Sequence, residues 1–360
     1  MPQDGSFIWK DVVRRTTSSL AATTIERYEY DGWNLTYRSK TAQDRKTPTL
    51  LLVHPVGIGL NSWFWKRVID CWPGPVLAPD LIGCGIENGG DGWVPSERGL
   101  SFPLGWVRGC EALLKSQGMA VPLNLSNDSV DNTENSKTDD GSDGSTNDWL
   151  QSFVKKTASS MDPLRGILNS AIGTKVVVVA QGGLAPVGVM LAARNPSSVS
   201  HLVLTSPPTW KDMTTAIPEK ELKFNFDFLS SPVLGRAAFA LLESRWAVEF
   251  FSNAFLFGNG QQCDKEWLDR ACSNTDEASR PPTMAFNAGL CNHRSFEEEM
   301  TELSQSTLIL SGTDDKRFKD RVGYVDNMQD CTMLALPGQN VLPWECPEAV
   351  CDAILAFVKD

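Results

Sequence analysis

At 360 residues, 41% of them hydrophobic and 21% charged, the chain can hold one large α/β domain with an insertion, or two smaller domains. A net charge of -11 argues against nucleic acid as a partner, because phosphate binding rests on clustered Lys and Arg. No apolar run approaches the ~18 residues of a transmembrane segment, and the N-terminus has no apolar signal-peptide core.

Residues 13–24 are hydroxyl-rich and basic, like part of a transit peptide, but Asp4 and Asp11 dilute the likeness, and residues 1–23 are set apart as a tail. Thr24–Tyr30 and Asn34–Ser39 read as two strands joined at Asp31-Gly32, a hairpin signal. Thr49–Val53 is a short apolar run that reads as a central strand and ends in the loop His54-Pro55-Val56-Gly57. Trp63–Cys71 has helical spacing, Val76–Ala78 is a further strand ending in Pro79-Asp80, and Leu104–Ser116 is a helix. Residues 124–148 hold almost no apolar side chain, so the segment is expected to be a disordered surface loop. It is also where much of the charge sits: between Asp128 and Asp148 there are seven acids against Lys137, a net of -6.

The organising stretch is Lys175–Pro196, KVVVVAQGGLAPVGVMLAARNP: a strand covered on both faces, a turn at 180–183 and a helix to Arg194. His201–Thr205 is the next strand. Residues 210–302 read as helical only and form an insert. Strands return at Thr307–Leu310 and Thr332–Leu336, and the helix Pro347–Lys359 closes the chain, its Pro347 and Glu348 suited to a helix start. Strands alternating with helices at this spacing imply right-handed crossovers and a mostly parallel sheet. The nine cysteines contain no Cys-x-x-Cys pair, which argues against zinc ribbons and thioredoxin-type sites and favours free thiols in a reducing compartment. Neither metal nor cofactor is called for.

Six segments appear in an order that resembles the α/β-hydrolase superfamily: LLVHPVGIG, VLAPDLIGCG, VVVVAQGGLAP with AARNP, LVLTSPP, LILSGTDD and LALPGQNVLPWECPE. The resemblance spans Thr24 to Asp360. It implies an α/β-hydrolase fold: an eight-stranded, mostly parallel sheet with helices on both faces, a core over 24–209 and 303–360, and a helical cap over 210–302. More narrowly, SSPVLGRAAF and PGQNVLPWE resemble a group of these proteins in cyanobacteria and plastids, which implies a plastid location and no particular reaction.

That family needs a nucleophile on a strand–helix elbow, a His base, an acid to orient it and backbone N–H groups for an oxyanion. The elbow maps onto Ala180-Gln181-Gly182-Gly183-Leu184, in a register supported by Asn195-Pro196 at the end of the helix. The nucleophile position is then Gly182, the acid position Asp315 with Asp314 beside it, and the base position Asn340, which cannot act as a general base near neutral pH. Asp315 has the alternative of merely capping its turn. His54 either supports the oxyanion loop by hydrogen bonds or takes part in chemistry; His201 and His293 read as structural or exposed. The resemblance assigns oxyanion N–H groups to Val56 and Gly183, adds the Gln181 amide as a ligand contact, and leaves Trp63 and Trp65 to line an entrance or to pack in the core. Phe224, Phe226, Phe228, Leu229, Phe239, Phe250 and Phe251 either face that pocket or pack the cap.

Ordinary serine hydrolysis is therefore not expected. Three functions compete: binding of an apolar carbonyl-containing small molecule such as a lipid, isoprenoid or pigment; catalysis by a non-standard route, through water activated by Asp315 or Asp80 or by an elimination or isomerisation in the pocket; and a scaffold role for the cap and the acidic loop.

Overall fold

The computed structural model describes residues 22–41, 46–119, 121, 175–258 and 262–359. The N-terminal tail up to residue 21 and the acidic loop 124–148 lie outside the described residues. The strands are β1 (Thr24–Tyr30), β2 (Trp33–Lys40), β3 (Thr49–Val53), β4 (Val76–Pro79), β5 (Val176–Gln181), β6 (Val199–Thr205), β7 (Ser306–Gly312) and β8 (Cys331–Leu336). They form one sheet in the order β1-β2-β4-β3-β5-β6-β7-β8. β1 and β2 are antiparallel, as are β2 and β4, and every other pairing is parallel. The hairpin turns at Asp31 and Gly32 with φ of 47° and 72°, the doubly left-handed geometry that matches strand twist in a two-residue loop.

The valine run of β5 is explained by the two faces it serves. Val176, Val178 and Ala180 enter the core beneath the helices Leu104–Ser116 and Ala185–Arg194. Val177 and Val179 enter the opposite core with the helices Lys66–Cys71 and Pro347–Phe357. Cys71 and Cys351 form a disulfide between these last two helices across 280 residues of sequence. This corrects the expectation of free thiols at those two positions. The spacing held no signal for it, because the bond depends on the first and last helices stacking on one face. The other seven cysteines carry free thiols.

Between β6 and β7 the chain is helical, with its main helices at Glu219–Leu229, Leu234–Leu242, Arg245–Phe251, Lys265–Ser273 and Arg280–Asn287. This insert sits on the loops that follow the parallel strands. The Asn340 N–H donates to the Leu256 carbonyl at 3.0 Å, and the Thr283 hydroxyl to the Gly57 carbonyl at 3.3 Å. A methyl group on Gly59 would overlap the Ala271 carbonyl, which shows how closely the surfaces meet. No helix among the described residues is long and apolar enough to cross a membrane.

Candidate functional site

β3 lies between β4 and β5, and Val53 is registered opposite Ala180. The connection from β3 leads to β4 on one side and that from β5 to β6 on the other, which opens a crevice at the carboxyl ends of β3 and β5. The loop after β3 (Val56) and the turn after β5 (Gly182, Gly183) therefore share one crevice.

Gly182 has φ 58°, a left-handed conformation costly for any other side chain than glycine, and a Cβ built there would meet nothing within 4 Å. A side chain at 182 would thus stand free at the mouth of the crevice. The turn is a short 3-10 segment, Gly182–Leu184, that runs directly into the helix Ala185–Arg194. The first N–H groups of such a segment have no partner within it, and they concentrate the positive end of the helix dipole. The ring of Phe286, from the insert, lies over Gly183 so closely that a methyl there would overlap it. Phe286 carried no sequence signal, since only the docking of the insert brings it to the elbow.

The amide of Gln181, expected to contact a ligand, is committed elsewhere. Its Nε2 donates to the Asn340 carbonyl at 2.6 Å and its Oε1 accepts from the Thr205 hydroxyl at 2.5 Å, with the side chain buried. It ties the loop after β8 to the elbow. That loop is held at three further points. Glu345 accepts from the backbone N–H of Gln339 at 3.0 Å and of Val341 at 3.2 Å, and also from Gly258 at 2.8 Å. Burial pushes the Glu345 carboxyl up from its ordinary value, against the lowering effect of those N–H groups. The Ser206 hydroxyl donates to the Gln339 carbonyl at 3.3 Å, from a residue in the left-handed region (φ 45°). The Asp314 N–H donates to the Gly338 carbonyl at 2.9 Å. Sequence reasoning singled out neither Ser206 nor Glu345; the run Pro-Trp-Glu after the loop was the only available sign of Glu345.

Asp315 is bound to Arg321. Arg321 Nη1 lies 2.7 Å from Asp315 Oδ2 and 2.8 Å from the Ser311 hydroxyl, and its Nε donates to the Pro207 carbonyl at 2.6 Å. The Asp315 carboxylate also accepts from the Arg317 N–H at 2.9 Å. Asp80 is equally engaged, accepting from the Thr36 hydroxyl at 2.6 Å, Asn88 Nδ2 at 2.8 Å and the Ser62 N–H at 2.9 Å. Both carboxylates thus fasten loops.

His54 is fully buried. Its Nδ1 faces the Pro55 carbonyl at 2.8 Å and its Nε2 accepts from the Leu81 N–H at 3.1 Å, which makes Nδ1 the protonated nitrogen of a neutral ring. It joins the loops after β3 and β4, with no ring nitrogen left for a ligand. Trp63 and Trp65 both belong to the core and line no entrance. Trp63 donates to the Gly59 carbonyl at 2.8 Å and packs edge-on against Trp267 and Trp344, each at 5.4 Å between centroids. Of the cap aromatics, Phe226 and Phe239 are buried, whereas Phe224, Phe228, Phe250 and Phe251 are exposed to solvent. The cavity between the loop after β3 and the insert, lined by Ile58, Gly59, Phe239 and Thr283 among others, has a volume of only about 10 Å³. That is room for about one water molecule.

All three histidines have their pKa lowered below the ordinary 6.5, chiefly by burial: His54, His201 and His293. A depressed folded-state pKa means that the unfolded chain takes up protons first. Stability from these groups is present above about pH 6.5 and is lost as pH falls through the folded-state values. Chemical denaturation at stepped pH should show unfolding free energy declining from about pH 6.5 downward. His54→Gln should flatten that decline; an identical slope would remove His54 from the account.

The family model described as "Alpha/beta hydrolase family" matches residues 50–353. Similar solved structures include haloalkane dehalogenase DbeA from Bradyrhizobium elkani USDA94, at 16% identity and TM-score 0.59 over 94% of this chain and 98% of that one. Cfl2 from Burkholderia cenocepacia is 16% identical with TM-score 0.63, over 94% and 97% of the two chains. A serine hydrolase involved in carbazole degradation (the CarC enzyme) is 15% identical with TM-score 0.60, over 94% and 99%. At such identities the likeness is one of fold. No curated protein matches the chain.

Proposed function

The chain belongs to the alpha/beta hydrolase family, and we propose that it is a member that binds a small molecule in the hydrolase crevice without cleaving it. The guest is an apolar, carbonyl-containing molecule of lipid, isoprenoid or pigment type, its oxygen held by the N–H groups of Val56 and Gly183. The observation that carries this reading is Gly182. It occupies the left-handed elbow at the carboxyl end of β5, with open space where a reacting side chain would stand. Nothing nearby supplies a base. His54 has both ring nitrogens in backbone contacts, His201 lies on β6 against Phe357, and His293 lies in the insert with Nδ1 on the Leu290 carbonyl. The base position falls to Asn340. The Arg321 pairing of Asp315 weighs against a water-activating carboxylate. The aromatic contact of Phe286 with Gly183 suits an apolar guest, which would displace that ring as it enters. The resemblance to cyanobacterial and plastid proteins supports a plastid location, which a fluorescent fusion of the full chain would test.

A fluorophosphonate probe tests the absence of an activated serine, and no labelling is expected. Gly182→Ser should remain unlabelled too, because a hydroxyl without a base is a poor nucleophile. It should lower stability by about 1–3 kcal/mol through the left-handed backbone alone. Labelling of the wild type at any serine would sink the reading. Native mass spectrometry of protein from its own source should reveal a co-purifying apolar molecule, released in Gly182→Trp, whose side chain would enter the open space above the elbow.

A further inference from the structure

We propose that the outer face of the insert docks on the surface of a lipid bilayer built of zwitterionic lipids. Nine of the fourteen exposed large hydrophobic residues among the described residues fall between Phe224 and Phe255. Four of them touch in one row: Trp246 stacks on Phe250 at 5.7 Å, Phe250 meets Phe251 at 5.4 Å, and Phe251 stacks on Phe255 at 5.9 Å. Trp246, Phe250 and Phe255 are 67%, 52% and 59% exposed, although rings of this size are ordinarily among the most buried.

The polar groups of the same face point inward or sideways. The Ser230 hydroxyl donates to the Phe226 carbonyl at 2.7 Å, and Ser231 and Ser244 accept the N–H groups of Leu234 and Ala247, each at 3.3 Å. Asn253 accepts the Cys263 N–H at 2.8 Å. Charged residues among and beside these rings are paired with one another: Lys223 with Asp227, Arg236 with Glu277, Glu243 with Arg280 and Arg245 with Asp269. Glu249 faces the Arg245 charge one turn earlier. On a chain of net charge -11 this face is close to neutral.

A protein partner normally meets about one hydrogen bond per 100–200 Å² of interface, and this face presents few groups that ask for one. A hydrocarbon boundary requires polar groups to be satisfied within the protein and rewards Trp and Phe at the headgroup level, which is what this face offers. The match in charge is to zwitterionic headgroups, because anionic lipids would repel the remainder of the chain. The proposal stands apart from the reading of the crevice: a bilayer could be bound whether or not a small molecule enters it.

The test is co-sedimentation of the full chain with phosphatidylcholine vesicles. Binding is expected to be indifferent to salt and no stronger when anionic lipid is added. The triple variant Trp246→Ser, Phe250→Ser, Phe255→Ser, confined to exposed rings, should weaken partitioning by at least about tenfold. Val322→Ser with Val325→Ser, exposed apolar positions outside the insert at 43% and 41%, should leave it unchanged. Brominated acyl chains should quench wild-type fluorescence more than that of Trp246→Phe, a readout that does not depend on the triple variant folding. The proposal is overturned if the wild type does not bind the vesicles, if it binds only anionic ones, or if the triple variant binds equally. It is also overturned if light scattering finds a wild-type dimer that the triple variant lacks, with no vesicle binding, since the face would then join two copies.

Discussion

Glu111→Ala is expected to lower the unfolding free energy by about 3–5 kcal/mol, roughly a 10 °C fall in Tm. Glu111 is buried in the helix Leu104–Ser116. It accepts from Arg194 Nε at 2.8 Å and Nη2 at 3.2 Å, and from Asn195 Nδ2 at 2.9 Å. The Asn195 amide also holds the last turn of the elbow helix by donating to the Leu191 carbonyl at 2.9 Å. Truncating Glu111 strands a cation and a buried amide together, and the penalty comes mainly from those abandoned donors. Glu111→Gln keeps an acceptor for Asn195 and loses the charge, so its cost should fall between wild type and Ala. Urea denaturation of the three proteins checks the order. An Ala variant within about 1 kcal/mol of wild type would show the pair to be dispensable. The helix it anchors follows directly on the turn Gly182–Leu184, so a loosened end should also raise hydrogen exchange at the elbow.

Arg321→Met should cost a similar amount, about 3–5 kcal/mol, because the change leaves the Asp315 carboxylate without its main partner. The Pro207 carbonyl and Ser311 hydroxyl lose their donor as well. Adding Asp315→Asn to Arg321→Met should recover part of the loss, since the second change removes the unpaired charge. A coupling of about 1–3 kcal/mol in the double-mutant cycle would mark Asp315 as an anchor of the loop after β7. Additive losses would return Asp315 to the list of groups available for chemistry.

The elements of the core were legible because their patterns are local. The apolar run Val176–Ala180 serves two cores, the Asp31-Gly32 dipeptide selects a hairpin turn, and helical spacing marks Leu104–Ser116. The side chains of the crevice were not legible in the same way. Gln181 was assigned to a ligand from its place beside the elbow, yet its amide bonds Asn340 and Thr205. Strand alternation at the end of β5 turns that side chain toward β6 and the loop after β8. The sequence left Trp63 between an entrance and the core, and its partners Trp267 and Trp344, which decide for the core, lie some 200 and 280 positions further along the chain. The cap aromatics were assigned by composition, and helical geometry then divided them between a buried face and an exposed one.

By itself the sequence determined the α/β class, the order of the strands along the chain, the helical insert and the glycine that follows β5. Each rests on a periodicity of two or 3.6 residues, or on the identity of one residue at a turn. Only the tertiary structure decided which groups are spoken for. The order β4-β3-β5 brings Val56 and Gly182 into one crevice, and the insert lays Phe286 over Gly183. Arg321 claims Asp315, two backbone groups claim His54, and Cys71 finds Cys351. These pairings depend on distances between segments far apart along the chain, and local spacing carries no record of them. Gly182 needed both: its identity was in the sequence, and its left-handed backbone and the open space above it came from the fold.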